Sequence, residues 1–555
     1  MGLPRESAAG GSWHFMQGGR CLGMNIQAWQ GWSECGLSGD VKAEDPRSEP
    51  WPSFVSGFDR VRRQVGWVMA PLVFAALWIW PVPDLPEPAH RTLAVLGLVM
   101  VLWLTEALPL GATALLGPCL CVVLGVGEAR EMFRSFGHPI LFLFLGSFLL
   151  AAAMVRHGLT RRMAVGLLSL PGVGERPGRL LVAFATACVV LSMWISNSTA
   201  AAMMFPMGLA LLSEMARRQS VVLGRPVDPG DLPYGQGLML VTAFGASIGG
   251  MATPVGSPPN LIGMAFLRER TGLDLSFLQW MALGLPISAV LTAFLVAYFC
   301  KVCPAPRGIG IGAERWVAEA RAQLGRWSRG ELQVLAVFAL MVTLWLLPGA
   351  IGLLLGTEAA MYRWLRQHLP EEVCALVGAL LLFALPVDAK RGETTLRWSN
   401  VRSVDWGTIL LFGGGLALGE AAVSSGLAHW AGQKLAVLVL GPDLLLTTLL
   451  FTGIAVVLTE TTSNTATANL VVPIALAVSE AAGVWPVPPA LGACLGASLA
   501  FMLPVSTPPN ALVYGSGWVP LVSMVRHGLV LDAAGVVVVV ATVTWWLPWV
   551  LRWVG

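Results

Sequence analysis

Apolar residues run along this chain in blocks of about 20, the length an α-helix needs to cross a hydrocarbon core roughly 30 Å thick. They lie near 65 to 81, 92 to 108, 110 to 127, 137 to 155, 236 to 252, 278 to 300, 332 to 355, 371 to 386, 406 to 423, 490 to 504 and 528 to 550. None alternates with the period of two that a membrane barrel strand shows. Two further blocks, 180 to 216 and 444 to 479, are interrupted at their middles by uncharged polar residues, "ISNSTA" (195 to 200) and "TSNTAT" (462 to 467). Each interrupted block reads either as two ordinary spans or as a hairpin that enters the membrane and returns on the same side. The pattern predicts an all-α polytopic membrane protein with about 11 transmembrane helices and two re-entrant hairpins.

Composition agrees, since a chain that is 55% hydrophobic and 12% charged cannot cover a soluble surface of its size. A net charge of +3 without a basic block excludes nucleic acid as a partner and leaves the lipid bilayer. The nine cysteines are scattered, and the lone CxxC at Cys300 and Cys303 has no second pair or His cluster to make a metal site. Residues 1–60 carry no continuous apolar stretch, so they read as a poorly ordered tail and not as a signal peptide. Lys and Arg concentrate in 60–63, 156–179, 217–225, 301–329 and 390–402, all on one side if both interrupted blocks leave the alternation unchanged. By the positive-inside rule that side, and the amino terminus, is cytoplasmic in a cell (inner) membrane.

Three landmarks recur in one order. "HPILFLFLGSFLLAAAMVRHGL" (138 to 159) resembles "WGTILLFGGGLALGEAAVSSGL" (406 to 427), Ser196-Asn197 recurs as Ser463-Asn464, and "GSPPN" (256 to 260) recurs as "STPPN" (506 to 510). Five crossings separate 138 from 406, an odd number, so the second copy is expected to be inverted. Inverted repeats with paired helix interruptions are the pattern of a secondary transporter with a site near the midplane.

The interruptions suit ions. Pro254, Pro258 and Pro259, and likewise Pro504, Pro508 and Pro509, remove backbone donors and disfavour helix before them, freeing carbonyls as hard oxygen ligands. At each SN tip a half-helix begins, with amide N–H groups and a positive dipole end available to an anion. No Lys, Arg or His occurs within the two SN tips and the two Pro-Pro-Asn motifs. An anion there needs a mobile countercharge, and neutral oxygens suit sodium. Carrying a dianion into an inside-negative cell costs about 4.6 kcal/mol at 100 mV, so at least three sodium ions per dianion let the field assist uptake. Proton coupling would want a buried titratable group, and only Glu460 sits beside a tip.

Plainer readings exist for each motif. A single Ser-Asn-Thr triplet in a membrane helix is most often a hydrogen-bonding device between helices, and it is the repetition that argues otherwise. Asn197-Ser198-Thr199 also matches a glycosylation sequon, but at membrane depth. "GASIG" (245 to 249) matches a nucleophile elbow, which requires a preceding strand and a nearby His that the apolar helix does not offer, so no enzyme is expected. Glu106 and Glu460 both follow a Leu-Thr pair and read as structural or ion-site shaping residues.

"SMWISNSTAAAMMFP", "GASIGGMATPVGSPPNLIG", "TETTSNTATANLVVPI" and "AFMLPVSTPPNALVYGSG" resemble the paired signature motifs of the divalent anion:sodium symporter family, over roughly residues 60 to 550. The resemblance implies a homodimer whose protomers each have a scaffold and a transport domain that moves as an elevator. Substrates are dicarboxylates such as succinate, malate and fumarate, or citrate, or sulfate, with Na+ as coupling ion and no organic cofactor. The family's first sodium site falls on Ser192, Ser196, Asn197 and Gly256, and the second on Thr459, Thr462, Asn464 and Ser506. Its substrate contacts fall on Asn197, Ser198, Ser257, Asn464, Thr465, Thr507 and Pro508. Ser198 stands where the family mostly has Thr, which bears on substrate choice. Some members are sodium-independent exchangers, and the absence of basic residues argues against that mode here. The implied division is a tail (1–60), scaffold helices (61–135), a first hairpin and broken helix in the transport domain (136–275), scaffold helices and cytoplasmic loops (276–404), a second hairpin and broken helix (405–520) and a C-terminal span (521–555).

Overall fold

The computed structural model describes residues 13–17, 20–24, 53–173, 176–305, 313–435 and 443–554. Apart from two short antiparallel ribbons, Trp13–Gln17 with Arg20–Met24 and Pro386–Asp388 with Glu393–Thr394, the described chain is helical. The first long helix, Ser53–Ile79, starts ahead of residue 60.

The apolar windows fall on helices, with one exception. The block at 490 to 504 is helical only over Val487–Gly496, and the next helix begins at Pro508. Pro504 and the Pro508-Pro509 pair withhold donors, and a buried carboxylate described below takes N–H groups of the unwound stretch. Among the described residues seven helices are long and apolar enough to cross a membrane, and eight if Ala360–His368 and Glu371–Ala384, bent by 56°, form one span. Leu110–Val123, Pro177–Ser192, Leu444–Thr459 and Val487–Gly496 are apolar but shorter. Local signals place several helix starts: Ser276 with Gln279 and Ser328 with Glu331 form reciprocal capping boxes before Phe277–Val302 and Arg329–Leu355.

The two copies run antiparallel. Helix Pro139–Arg156 starts where His138 meets Glu269 at 3.2 Å, and ends where Arg156 donates to the Thr395 carbonyl and to Asn400 Oδ1, both at 3.0 Å. Its equivalent, Trp406–Ser424, begins just beyond Asn400, and near its far end Glu420 accepts a 3.0 Å bond from Ser135. The second copy is therefore inverted. Polar contacts at helix ends sort the same way: Arg162 with Glu331 and Tyr298 with His527 join segments predicted for one face, while Arg270 with Glu480 and Lys434 with Asp84 join segments predicted for the other.

Within each copy the element before the SN tip packs on the first half of the proline-broken helix, Pro177–Ser192 on Pro233–Gly250 and Leu444–Thr459 on Val487–Gly496. Between copies the packing is crossed. Asn197–Leu223 meets Pro508–Gly515, and Asn464–Ala481 meets Pro258–Thr271. Pro206 and Pro473 each lie nine residues beyond the tip asparagine, a further echo of the repeat. Four interrupted elements thus interlock around their breaks, and these place the site.

Candidate functional site

At the first break, the four residues 193–196 separate two helices, and Ser196 caps the second by accepting from Thr199 N–H at 3.3 Å. Ser192, fully buried, donates to Asn197 Oδ1 at 2.8 Å. The proline-broken helix closes over this turn: Thr253 donates to the Met193 carbonyl at 2.5 Å and accepts from Gly256 N–H at 3.1 Å. Glycine is required where backbones meet. A Cβ on Gly256 would stand 2.7 Å from the Gly250 carbonyl and 3.1 Å from that of Met193.

The second break repeats this. Residues 460–463 separate Leu444–Thr459 from Asn464–Ala481, and Thr459 donates at 2.8 Å to Asn464 Oδ1, the counterpart of the Ser192–Asn197 bond. Thr459 Oγ1 also lies 2.7 Å from the Ala497 carbonyl. A hydroxyl has one proton, so two acceptors converge on one donor and leave an excess of oxygen lone pairs, the arrangement a small hard cation satisfies. Thr462 Oγ1 pairs with Thr467 Oγ1 at 2.8 Å, and Ser506 donates to the Leu503 carbonyl at 2.6 Å.

The residues singled out in the sequence therefore gather at two mirrored places. Ser192, Ser196, Asn197 and Gly256 surround the first break; Thr459, Thr462, Asn464 and Ser506 surround the second. Of the predicted substrate contacts, Ser198 and Pro508 are exposed, Asn197 and Asn464 partly so, and Ser257, Thr465 and Thr507 are buried behind them. Ser257 Oγ is 3.5 Å from Ser498 Oγ, joining the two copies at their breaks.

Residues 62–553 match the model of the sodium:sulfate symporter transmembrane region, that of the divalent anion:sodium symporter family. The chain belongs to this family. Among relatives, the sodium-dependent dicarboxylate transporter SdcS of Staphylococcus saprophyticus is 33% identical over 496 residues, 88% of this chain and 92% of that protein. SdcS of Staphylococcus aureus (strain USA300) is 31% identical over 499 residues, with the same coverage. The Alcanivorax borkumensis YdaH transporter structure aligns with a TM-score of 0.51 over 89% of this chain and 98% of that one, at 14% identity, a likeness of fold alone. As a member of the symporter family the chain is a membrane transporter and not an enzyme. "GASIG" accordingly lies inside helix Pro233–Gly250, with Ser247 fully buried.

Two features of this transporter's breaks were not singled out from sequence. Asn260 and Asn510 staple the unwound stretches, each amide donating to two carbonyls, those of Gly250 and Thr253 at 2.8 Å and those of Ala500 and Leu503 at 3.0 Å. The Asn in both Pro-Pro-Asn motifs was the available signal. The Ala497 carbonyl carries no side-chain signal at all.

Glu460, read from the sequence as a structural or ion-site shaping residue, acts on the backbone. Its two carboxylate oxygens accept Met502 N–H at 2.8 Å and Leu503 N–H at 2.9 Å, where the first copy uses Thr253. Glu460→Leu strands both donors in a buried place at about 1–3 kcal/mol each. A lower thermal-unfolding midpoint in detergent is the expected result, with Glu460→Gln, which retains an acceptor, falling between.

Proposed function

We propose that this protein is a secondary active symporter that couples sodium entry to uptake of a divalent anion, a C4-dicarboxylate such as succinate. The observation that carries the reading is the pair of mirrored oxygen sets, Ser192 with Asn197 and Thr459 with Asn464, each bonded at 2.8 Å at a helix break, with no Lys, Arg or His in the two SN tips or the two Pro-Pro-Asn motifs. Neutral oxygens hold a hard monovalent cation, and the cations, not fixed side chains, neutralise the dianion. Sodium takes the first set with Ser196 and Gly256 and the second with Thr462, Ser506 and the Ala497 carbonyl. The anion lies between the tips against Asn197, Ser198, Asn464, Thr465 and Pro508, with Ser257 and Thr507 behind. Names of relatives that specify sodium and dicarboxylates support this choice of ions.

The two SN elements are re-entrant hairpins, and the interlocked hairpins and broken helices shift as a unit against the remaining helices in a homodimer, an elevator. The crossed packing of the four elements supports a single moving body. The amino terminus faces the cytoplasm, as the Lys/Arg distribution indicates.

Uptake of labelled succinate into proteoliposomes, with sodium replaced by choline, tests the coupling. Accumulation in sodium and none above background in choline is the expected result. Equal uptake in both removes symport, and accumulation of sulfate or citrate instead of succinate reassigns the cargo.

A further inference from the structure

Arg62 belongs to none of the interrupted elements, yet its guanidinium reaches the second break. Nη1 donates to the Thr461 carbonyl at 3.0 Å, inside the turn 460–463, and Nη2 donates to Glu106 Oε2 at 2.9 Å and lies 3.2 Å from Asp59 Oδ1. The side chain is 10% exposed, and its Nε–H is buried without a partner. Glu106 is held in an unusual way. Its φ of +47° places a non-glycine residue in the left-handed region at the end of helix Glu87–Thr105, a conformation shared among the described non-glycine residues only with Asp84. Such outliers persist where surroundings over-determine them and mark functional positions. Gly66, one turn beyond Arg62 and on the same face, lets the first helix press onto this turn: a Cβ there would stand 2.7 Å from Ala107 Cβ. The first helix, its packing partner Glu87–Thr105 and the turn after it hold one guanidinium out to the second tip.

We propose that Arg62, fixed by Glu106, is a positioning residue that clamps the tip of the second hairpin in one of the carrier's alternating conformations and releases it in the other; this rests on the moving hairpins of the proposed function. The charge arrangement suits a contact that is remade every cycle. Arg62 is neutralised by carboxylates on its own side, so when the tip departs the guanidinium loses only a neutral carbonyl and no charge is left buried and unpaired. Thr461 lies between the proposed ligands Thr459 and Thr462 without being one, so the clamp holds the turn and leaves the ion ligands free. The Lys/Arg distribution assigns residues 62 and 106 to the cytoplasmic face, and the second hairpin of the proposed function enters from the opposite one. The clamped conformation is therefore the one open to the cytoplasm.

Removing the clamp shifts the population outward, and apparent affinity scales with the fraction in the binding-competent state. In right-side-out vesicles of Arg62→Met the half-saturating succinate concentration is expected to fall, about threefold or more, while in inside-out vesicles it rises. A purely structural role moves both in one direction or neither. Glu106→Gln is expected to give the same opposed displacement at smaller size, and the double variant no more than Arg62→Met alone. Parallel or absent shifts in Arg62→Met overturn the clamp; where that variant does not reach the membrane, the same result in Glu106→Gln does so. Failure of sodium-driven uptake by the wild type counts against the symport reading instead. The contact is then read without transport, by bridging Arg62→Cys to Thr461→Cys with a short bifunctional thiol reagent and detecting the linked peptides by mass spectrometry. A bridge is expected, and its absence overturns the clamp.

Discussion

Replacing Asn464 by Ala is expected to lower sodium-driven uptake at least about a hundredfold while leaving the amount of protein in the membrane and its unfolding midpoint close to wild type. Asn464 Oδ1 accepts the 2.8 Å bond from Thr459 and, with the Ala497 carbonyl, makes the oxygen-rich set proposed for the second sodium. In the proposed function its amide N–H groups are the donors offered to the anion. Each interaction with a charged partner is worth about 1.5–3 kcal/mol. Loss of a cation ligand and an anion donor together removes roughly 3–6 kcal/mol, at about 1.4 per factor of ten. Folding is spared because the Thr459 hydroxyl still has the Ala497 carbonyl to donate to, and Ala is well tolerated in the first helical turn. Labelled succinate uptake at saturating wild-type sodium, beside thermal unfolding in detergent, checks both halves. Uptake within twofold of wild type removes Asn464 from the site. Asn197→Ala is expected to behave alike, since Ser192 and Asn197 form the mirrored pair.

The sequence made the helices and the breaks legible for separate reasons. Block length and the lack of alternation are properties of the lipid solvent, which forces backbone groups to pair within a segment, so spans could be read before any packing was known. The breaks were legible because Ser, Asn and Pro are out of place there, and repetition made them so twice. Block length failed at 490 to 504, where the residues are apolar enough to span but Val487–Gly496 is the only helical part. What holds the rest open is the Glu460 carboxylate on Met502 and Leu503 N–H, a contact across about 40 residues that no local pattern encodes.

The same distinction explains the basic residue. The SN tips and Pro-Pro-Asn motifs contain no Lys, Arg or His, as their sequences say, yet Arg62 meets the second tip from a helix nearly 400 positions earlier. Motif reading weighs residues by the segment they belong to, whereas the surroundings of a helix break are built from whatever the topology delivers. Glu106 was visible only as an echo of Glu460 after Leu-Thr. The two glutamates act at different places, one fixing Arg62 and the other the unwound backbone, and both serve the second copy.

A glycine with no polar chemistry gives the other large effect. Gly250 ends helix Pro233–Gly250 directly against the first tip, where an added Cβ would fall on Asn197 Oδ1 and lie 3.1 Å from Asn197 Cγ and Nδ2. Neither neighbour can yield cheaply: Gly249 abuts Val189 so closely that a Cβ there would be 2.8 Å from its Cα, and the unwound chain beyond is stapled by Asn260 through the Gly250 carbonyl itself. The Asn197 amide must swing away, which breaks its 2.8 Å bond with Ser192 and displaces the oxygen proposed for sodium. Overpacking of this kind costs about 1–3 kcal/mol, and a 1 Å misplacement at a reacting site costs on the order of a hundredfold in rate. Gly250→Ala is therefore expected to lose transport by about that factor and to raise the half-saturating sodium concentration of what remains. Gly453→Ala is the control, because it makes the same substitution in helix Leu444–Thr459 at a position with nothing within 4 Å. There Ala removes backbone freedom from the unfolded chain and gains about 0.5–1 kcal/mol of helix stability with transport unchanged. Sodium-activation curves for the two variants in proteoliposomes separate the cases, and a Gly250→Ala protein that transports like Gly453→Ala would show that the first tip does not need Asn197 where the fold has put it.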